Sequence, residues 1–173
     1  MQRQSTKNLV RTAVLLALLI LLQTLTKAGG QFVTGSCVNC VLAVGALFLP
    51  LGYGIGLALV SPFLAFVLGV GPQLLPIVPA IAVGNIVYVV LLCLIARKSE
   101  KLPRKILGLA AASVVKFAAL FLLIAKLLCS VLQLPEKQVA VFQTMFSWPQ
   151  LVTAVIGGVL AFVITAVLKK NKN

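Results

Sequence analysis

Acidic residues and histidine are almost missing from this 173-residue chain, which has two Asp or Glu residues and no His. General acid–base catalysis relies mainly on these side chains, so the composition argues against an enzyme. The two acids, Glu100 and Glu136, lie outside the long apolar runs. Coupling of transport to protons or sodium ions through a carboxylate inside the membrane therefore has no candidate residue.

Motifs of nucleotide, acyl-transfer and metal chemistry are missing as well. The chain has no Walker A loop, no nucleophile elbow and no HExxH sequence. Cys37 and Cys40 form a single CxxC, but zinc needs two further ligands and a redox role needs a βαβ context. Cys93 and Cys129 lie within apolar runs and are interpreted as small core residues. We therefore predict no metal and no cofactor.

Apolar residues dominate what remains, at 61% of the chain, and charged residues make up 10%. Soluble domains are about 45–50% apolar and about 25% charged, so this chain has too little polar surface for a water-soluble globule. Its apolar residues form continuous runs, without the alternation of a transmembrane barrel strand. At about 20 residues per span, the length predicts an all-α integral membrane protein with six transmembrane helices.

The six spans form one membrane domain, 1–173. Their approximate positions are 9–25, 38–50, 54–70, 77–96, 106–132 and 149–168. The second and third spans are short, and the turn between them is uncharged. They are therefore either two full spans or a re-entrant pair.

The basic residues predict the orientation. An even number of spans leaves eleven of them on the side of the two termini and only Lys27 and Lys137 on the other side. The eleven are Arg3, Lys7, Arg11, Arg97, Lys98, Lys101, Arg104, Lys105, Lys169, Lys170 and Lys172. The positive-inside rule then predicts cytoplasmic N and C termini. Clustering at the ends of the spans also explains the net charge of +13 by contact with lipid headgroups rather than nucleic acid.

The polar chemistry is expected on the opposite, outer side. Segments 28–37, 69–76 and 134–147 are predicted to be loops there, and they contain many of the polar and aromatic residues. The first of them runs into the polar break at 31–39, QFVTGSCVN. With few catalytic groups in the chain, this side is expected to bind a small molecule rather than transform it.

Lys116 is the sharpest single observation. It lies about ten residues into the fifth span, or roughly 15 Å along a helix, near the bilayer centre. An ionisable residue at that depth is costly and is by default a functional candidate. Without an acid in any span to pair with it, Lys116 either faces an anionic group on a ligand or snorkels to the cytoplasmic headgroups.

Polar and aromatic residues near the outer side complete the predicted site. Asn85 needs a partner in lipid, either another helix or a ligand. Trp148 is either an interfacial belt residue or a stacking platform for the ligand. The predicted substrate-binding residues are Gln31, Thr34, Asn39, Gln73, Asn85, Lys116, Trp148 and Gln150.

A family resemblance follows from the order of these features along nearly the whole chain. A basic start leads into AVLLA at 13–17, and the polar stretch GSCVN lies at 35–39. A glycine-rich segment, 51–68, precedes PIVPAIAVGN at 76–85. The last span opens with PQL at 149–151 and contains a Gly-Gly pair. In this combination the chain resembles a substrate-binding S component of an energy-coupling factor (ECF) transporter.

The resemblance implies a six-helix protein of the bacterial cell membrane that binds a vitamin or related micronutrient, here an anionic one or a precursor, near the outer face. It also implies a transmembrane coupling subunit and two cytosolic ATPases as partners. The first helix packs against that subunit through an AxxxA motif, a role that falls to Ala13 and Ala17. The alternatives are an autonomous secondary transporter or channel, and a structural subunit of a membrane complex.

Overall fold

The computed structural model describes residues 2–170, with side chains from residue 3, and these residues form helices joined by short turns, without a strand. In chain order the helices are α1 Gln2–Thr26, α2 Gly30–Phe48, α3 Leu51–Val67, α4 Ile77–Leu91, α5 Leu102–Leu120, α6 Glu136–Met145 and α7 Trp148–Lys170. A π-helical turn, Leu92–Ala96, extends α4. A longer π-helical segment, Phe121–Leu128, and a last turn, Cys129–Val131, extend α5. Lys172 lies outside the described residues.

Four helical stretches of the described chain are long and apolar enough to cross a membrane. They are Arg3–Phe48, which combines α1 and α2, Ile77–Ala96, Leu102–Val131 and Glu136–Lys170. Helix α3 is also apolar but has 17 residues. The predicted all-α architecture is confirmed, whereas the number of spans and the side of the termini stay predictions.

The predicted outer loop at 28–37 is wrong, because most of it is helical. One 3-10 turn, Lys27–Gly29, separates α1 from α2, and Gly30 reverses the chain with a φ of 75° that suits glycine. Helix α2 then begins at Gly30 itself, so the polar stretch 31–39 forms its first turns. A helix satisfies its own backbone hydrogen bonds, which a lipid-exposed loop cannot do, and it can still turn polar side chains toward the bundle interior.

Helix α2 is the centre of the bundle, and its most extensive contact is with α7. Gly157 of α7 permits this close approach. A Cβ atom there would lie 2.6 Å from Asn39 Cβ and 2.6 Å from the backbone nitrogen of Cys40. Small residues let membrane helices pack at short distance, so the glycine brings Asn39 against α7. Buried Leu42, Leu57 and Tyr88 fill the core around α2.

The bundle has two chemically different ends. At one end, which we call the basic end, three contacts join helix termini: Ser5 with Tyr53, Arg97 with the Leu49 carbonyl, and Lys169 with Glu100. The beginnings of α1, α3 and α5 and the ends of α2, α4 and α7 therefore lie together there. At the opposite end, α6 covers a second apolar cluster that includes Ile77, Leu120 and Phe146.

Candidate ligand-binding site

A cavity of about 440 Å³ opens between the helix ends opposite the basic end. Its wall is formed by residues from the end of α1 to the beginning of α7, with Phe66, Phe142 and Phe146 among its apolar residues. Its polar side chains belong to Gln23, Lys27, Gln31, Thr34, Asn39, Ser61, Asn85, Lys116 and Gln150. Small-molecule sites are typically concave, largely apolar and about 300–1,000 Å³ in volume, and this cavity fits that description.

Lys116 lies in the cavity wall and is only 2% exposed. Its Nζ atom donates hydrogen bonds to Oδ1 of Asn39 over 2.5 Å and to Oδ1 of Asn85 over 2.8 Å. The same atom lies 5.1 Å from the centroid of the Tyr88 ring. These contacts hold the ammonium inside the bundle, and the alternative that it snorkels to the headgroups does not apply.

The charge of Lys116 is not neutralised by the protein. The cavity wall, within the described residues, contains Lys27 and Lys116 but no acid. Glu100 lies at the basic end, and Glu136 is exposed at the beginning of α6. A buried charge with neutral partners alone is unfavourable, and an ammonium has three donors, of which the two asparagines accept two. The two asparagines therefore leave one donor of the ammonium, and no acid of the described cavity wall pairs with its charge.

Asn39 is oriented by α7. Its Nδ2 atom donates to Oγ1 of Thr153 over 3.3 Å, and the Thr153 hydroxyl donates in turn to the Gln150 carbonyl over 3.2 Å. Because the amide nitrogen is bound on the α7 side, the amide oxygen remains for Lys116. This relay makes the close α2–α7 contact part of the site.

Tyr88 contacts the same lysine through the face of its ring. Its hydroxyl donates to the Ala154 carbonyl over 2.7 Å, and the side chain is fully buried. With the hydroxyl fixed on α7, the ring is held within cation–π distance of Nζ of Lys116, an attraction that grows when the cation is desolvated.

Two glutamines attach α6 to the rest of the bundle. Nε2 of Gln31 in α2 and Nε2 of Gln150 in α7 both donate to the carbonyl of Met145, the last residue of α6, the second over 3.0 Å. Phe142 in α6 and Phe146 just beyond it are buried and line the cavity. Helix α6 closes the cavity on this side. It occupies most of the segment 134–147, so the prediction of a loop there is wrong.

The structure brings six of the eight predicted site residues to the cavity wall. They are Gln31, Thr34, Asn39, Asn85, Lys116 and Gln150. Gln73 is exposed and donates to the carbonyl of Gly71 in its own loop. Trp148 is 59% exposed, and its ring packs against Phe32 with centroids 5.5 Å apart. Neither lines the cavity, because the loop folds back on itself at Gln73 and α7 directs Trp148 outward.

Sequence reasoning missed other members of the wall, including Gln23, Lys27, Ser61, Phe66 and Phe142. Gln23 had a usable signal, because it is the one amide side chain in the predicted span 9–25. It lies four residues after buried Leu19, on the same face of α1. Lys27 anchors the cavity rim by donating to the Gly69 carbonyl over 2.7 Å. No feature of the sequence singles out the phenylalanines, because apolar residues are abundant in every span.

Two further predictions concern residues outside the cavity. Ala13 and Ala17 are exposed on α1, on the side turned away from Leu19. Cys40 is buried and Cys37 half-buried, and both are free thiols. Within residues 2–170, no group of three or more His, Cys, Asp or Glu side chains is placed to hold a metal ion.

The family model described as "ECF transporter, substrate-specific component" matches residues 7–169. No curated protein and no solved structure matches the chain.

Proposed function

The chain belongs to the family of ECF transporter substrate-specific components, and from this premise we propose that it captures a vitamin or related micronutrient for uptake into a bacterial cell. Membership in the family and the apolar helices make it a multi-pass membrane protein that binds a transported substrate. The substrate site in our proposal is the 440 Å³ cavity.

One observation carries the assignment of the site, namely the buried ammonium of Lys116 facing the cavity without an acidic partner. An anionic group of the substrate supplies the missing charge and accepts the donor that the two asparagines leave free. Asn39 and Asn85 hold the lysine in place. Three further polar residues of the wall orient the remainder of the substrate, namely Gln31, Thr34 and Gln150.

The proposed topology has six crossings with both termini in the cytoplasm. The helix directions support it, since α1, α3 and α5 begin at the basic end and α2, α4 and α7 finish there. Ten of the eleven basic residues predicted for the cytoplasmic side are in the described chain. They lie in the first ten residues of α1, the first turn of α5, the last turn of α7 or the turn between α4 and α5. This arrangement opens the cavity to the outside of the cell.

The proposed partners are a transmembrane coupling subunit and two cytosolic ATPases. Helix α1 offers the coupling face, because Ala13 and Ala17 are exposed one turn apart and permit close approach of another helix. Energy from the ATPases accords with a chain whose acids, Glu100 and Glu136, both lie outside the cavity wall.

Reconstitution with and without the partners tests this proposal. We expect the purified protein to retain a small molecule, to associate with a coupling subunit and two ATPases, and to import that molecule only with ATP. Ala17→Trp is expected to abolish uptake while leaving binding unchanged, because the larger side chain blocks the approach of a second helix. Ala110→Trp, at an exposed alanine of α5, is the matched control and retains both functions.

Uptake by the protein alone in liposomes would show an autonomous transporter and contradict the proposal. Loss of binding in Ala17→Trp would contradict the assigned coupling face.

A further inference from the structure

Gln23 of α1 is buried, with 9% of its surface exposed, and it lines the cavity. Its Oε1 atom has no hydrogen-bond partner among the described residues. We propose that Gln23 contacts the substrate directly, and that the substrate is an organic acid with an N–H or O–H group that donates a hydrogen bond to this oxygen. The inference rests on the proposed function, because it assigns a second contact in the same cavity.

An unpartnered buried oxygen is unusual, because it has given up its hydrogen bond to water without replacing it. Two other side-chain oxygens of the described chain share this condition, the hydroxyls of Ser36 and Ser113. Neither serine lines the cavity. Gln23 therefore differs from them in that a molecule within the cavity can supply the missing donor.

The chemistry of the oxygen sets one requirement on the substrate. An amide oxygen can only accept, so the group that meets Gln23 must carry a hydrogen. Lys116 sets the complementary requirement, since an ammonium can only donate and is best satisfied by a negatively charged acceptor. The substrate must thus present an anionic oxygen to α5 and a donor to α1.

The remaining wall narrows the class further. It is largely apolar, with Phe66, Phe142 and Phe146 among its residues, and over residues 2–170 it includes two lysines and no acid. Organic cations find no counter-charge in this cavity, and a simple fatty acid leaves the oxygen of Gln23 unpaired. Hydroxy acids and amide-containing acids with an apolar portion supply an anionic oxygen for Lys116, a donor for Gln23 and an apolar surface for the phenylalanines.

The test compares Gln23→Met with Ser113→Ala in purified protein. Methionine is similar in length to glutamine but lacks the buried oxygen. Both variants remove an unpartnered polar atom, so we expect each empty protein to melt about 2–4 °C higher than the unaltered one. Mass spectrometry then measures how much small molecule each variant releases on denaturation, and this amount distinguishes the two variants. We expect an acid with an N–H or O–H donor from the unaltered protein and from Ser113→Ala, and a loss of at least about tenfold in Gln23→Met.

Three results would overturn the inference while leaving the proposed function intact. These are equal retention by Gln23→Met, a retained molecule without an acidic group or without a donor, and a lower melting temperature in Gln23→Met, which would reveal a structural partner for the amide. If the unaltered protein retained nothing, the proposed binding function itself would fail.

Discussion

Lysines at the two ends of the bundle are treated in opposite ways. At the basic end, Lys105 and Lys169 both pair with Glu100, over 2.8 and 2.5 Å, and the carboxylate is exposed. At the cavity end, Lys116 is buried and bound only to neutral amides and an aromatic ring. The chain therefore places an acid beside lysines at the exposed end, where an ion pair adds little to stability. It places no acid beside Lys116, where an unpaired buried charge costs the most stability.

We propose that, of these charges, the charge of Lys116 is the one that a bound ligand neutralises. At the basic end, Lys105 and Lys169 pair with Glu100, and we expect lipid headgroups to neutralise the exposed basic residues there. Lys116 cannot reach water or headgroups in this way, because its side chain is buried between α5, α2 and α4. A bound anion is the partner that we propose for it.

The largest expected effect comes from removing the interior charge. Lys116→Met should weaken substrate binding by about 100-fold, because truncating one partner of a buried charged pair costs about 2–5 kcal/mol. Lys126→Met is the matched control on the same helical stretch, since Lys126 is exposed beside the Phe121 ring. Equilibrium binding to purified protein measures both. Equal affinity in the two variants would place the anion elsewhere.

A smaller effect is expected from the helix contact that orients Asn39. Gly157→Ala introduces a Cβ atom 2.6 Å from Asn39 Cβ and 2.7 Å from the Ser36 carbonyl, so α7 must move away from α2. Overpacking of this kind costs about 1–3 kcal/mol, and we expect a lower melting temperature together with weaker binding. Gly56→Ala, where an added Cβ meets no atom within 4 Å, should change neither. If Gly157→Ala lowered stability but kept full affinity, the relay from α7 to Lys116 would not matter for binding.

The smallest effect is expected at the exposed ion pairs. Hydrogen bonds from Lys105 and Lys169 lower the pKa of Glu100 from 4.5 to about 2. Since the folded pKa lies below the usual value, the pairs contribute fully above pH 4.5 and lose their contribution as the pH falls toward 2. Thermal melting from pH 7 to pH 2 should show this loss in the unaltered protein and not in Glu100→Gln. Substrate binding at pH 7 should be the same in both, and a weaker affinity in Glu100→Gln would mean that the two ends are coupled.

The sequence predicted the charged part of the site better than its shape. Lys116 and Asn85 stood out because polar side chains are rare within a span and need a partner there. Asn39 was found for a different reason, at the end of the polar stretch 31–39, most of which was expected to be a loop and is the beginning of α2. Its polarity made it a candidate that does line the cavity, although the secondary structure of residues 31–37 was predicted wrongly.

The remainder could not be predicted, because it depends on which way a side chain points. Gln73 and Trp148 have suitable chemistry, but the turn at Gly71 and the first turn of α7 direct them away from the cavity. Phe142 and Phe146 form its wall only because α6 folds over the π-helical end of α5. Nothing in a run of apolar residues distinguishes a cavity wall from a lipid-facing surface.

An experimental structure of the purified protein with its retained small molecule tests the central claim most directly. The account predicts that the molecule occupies the cavity, with an anionic oxygen within hydrogen-bonding distance of Nζ of Lys116. A molecule bound outside this cavity, or inside it with an uncharged group against Lys116, would contradict the account.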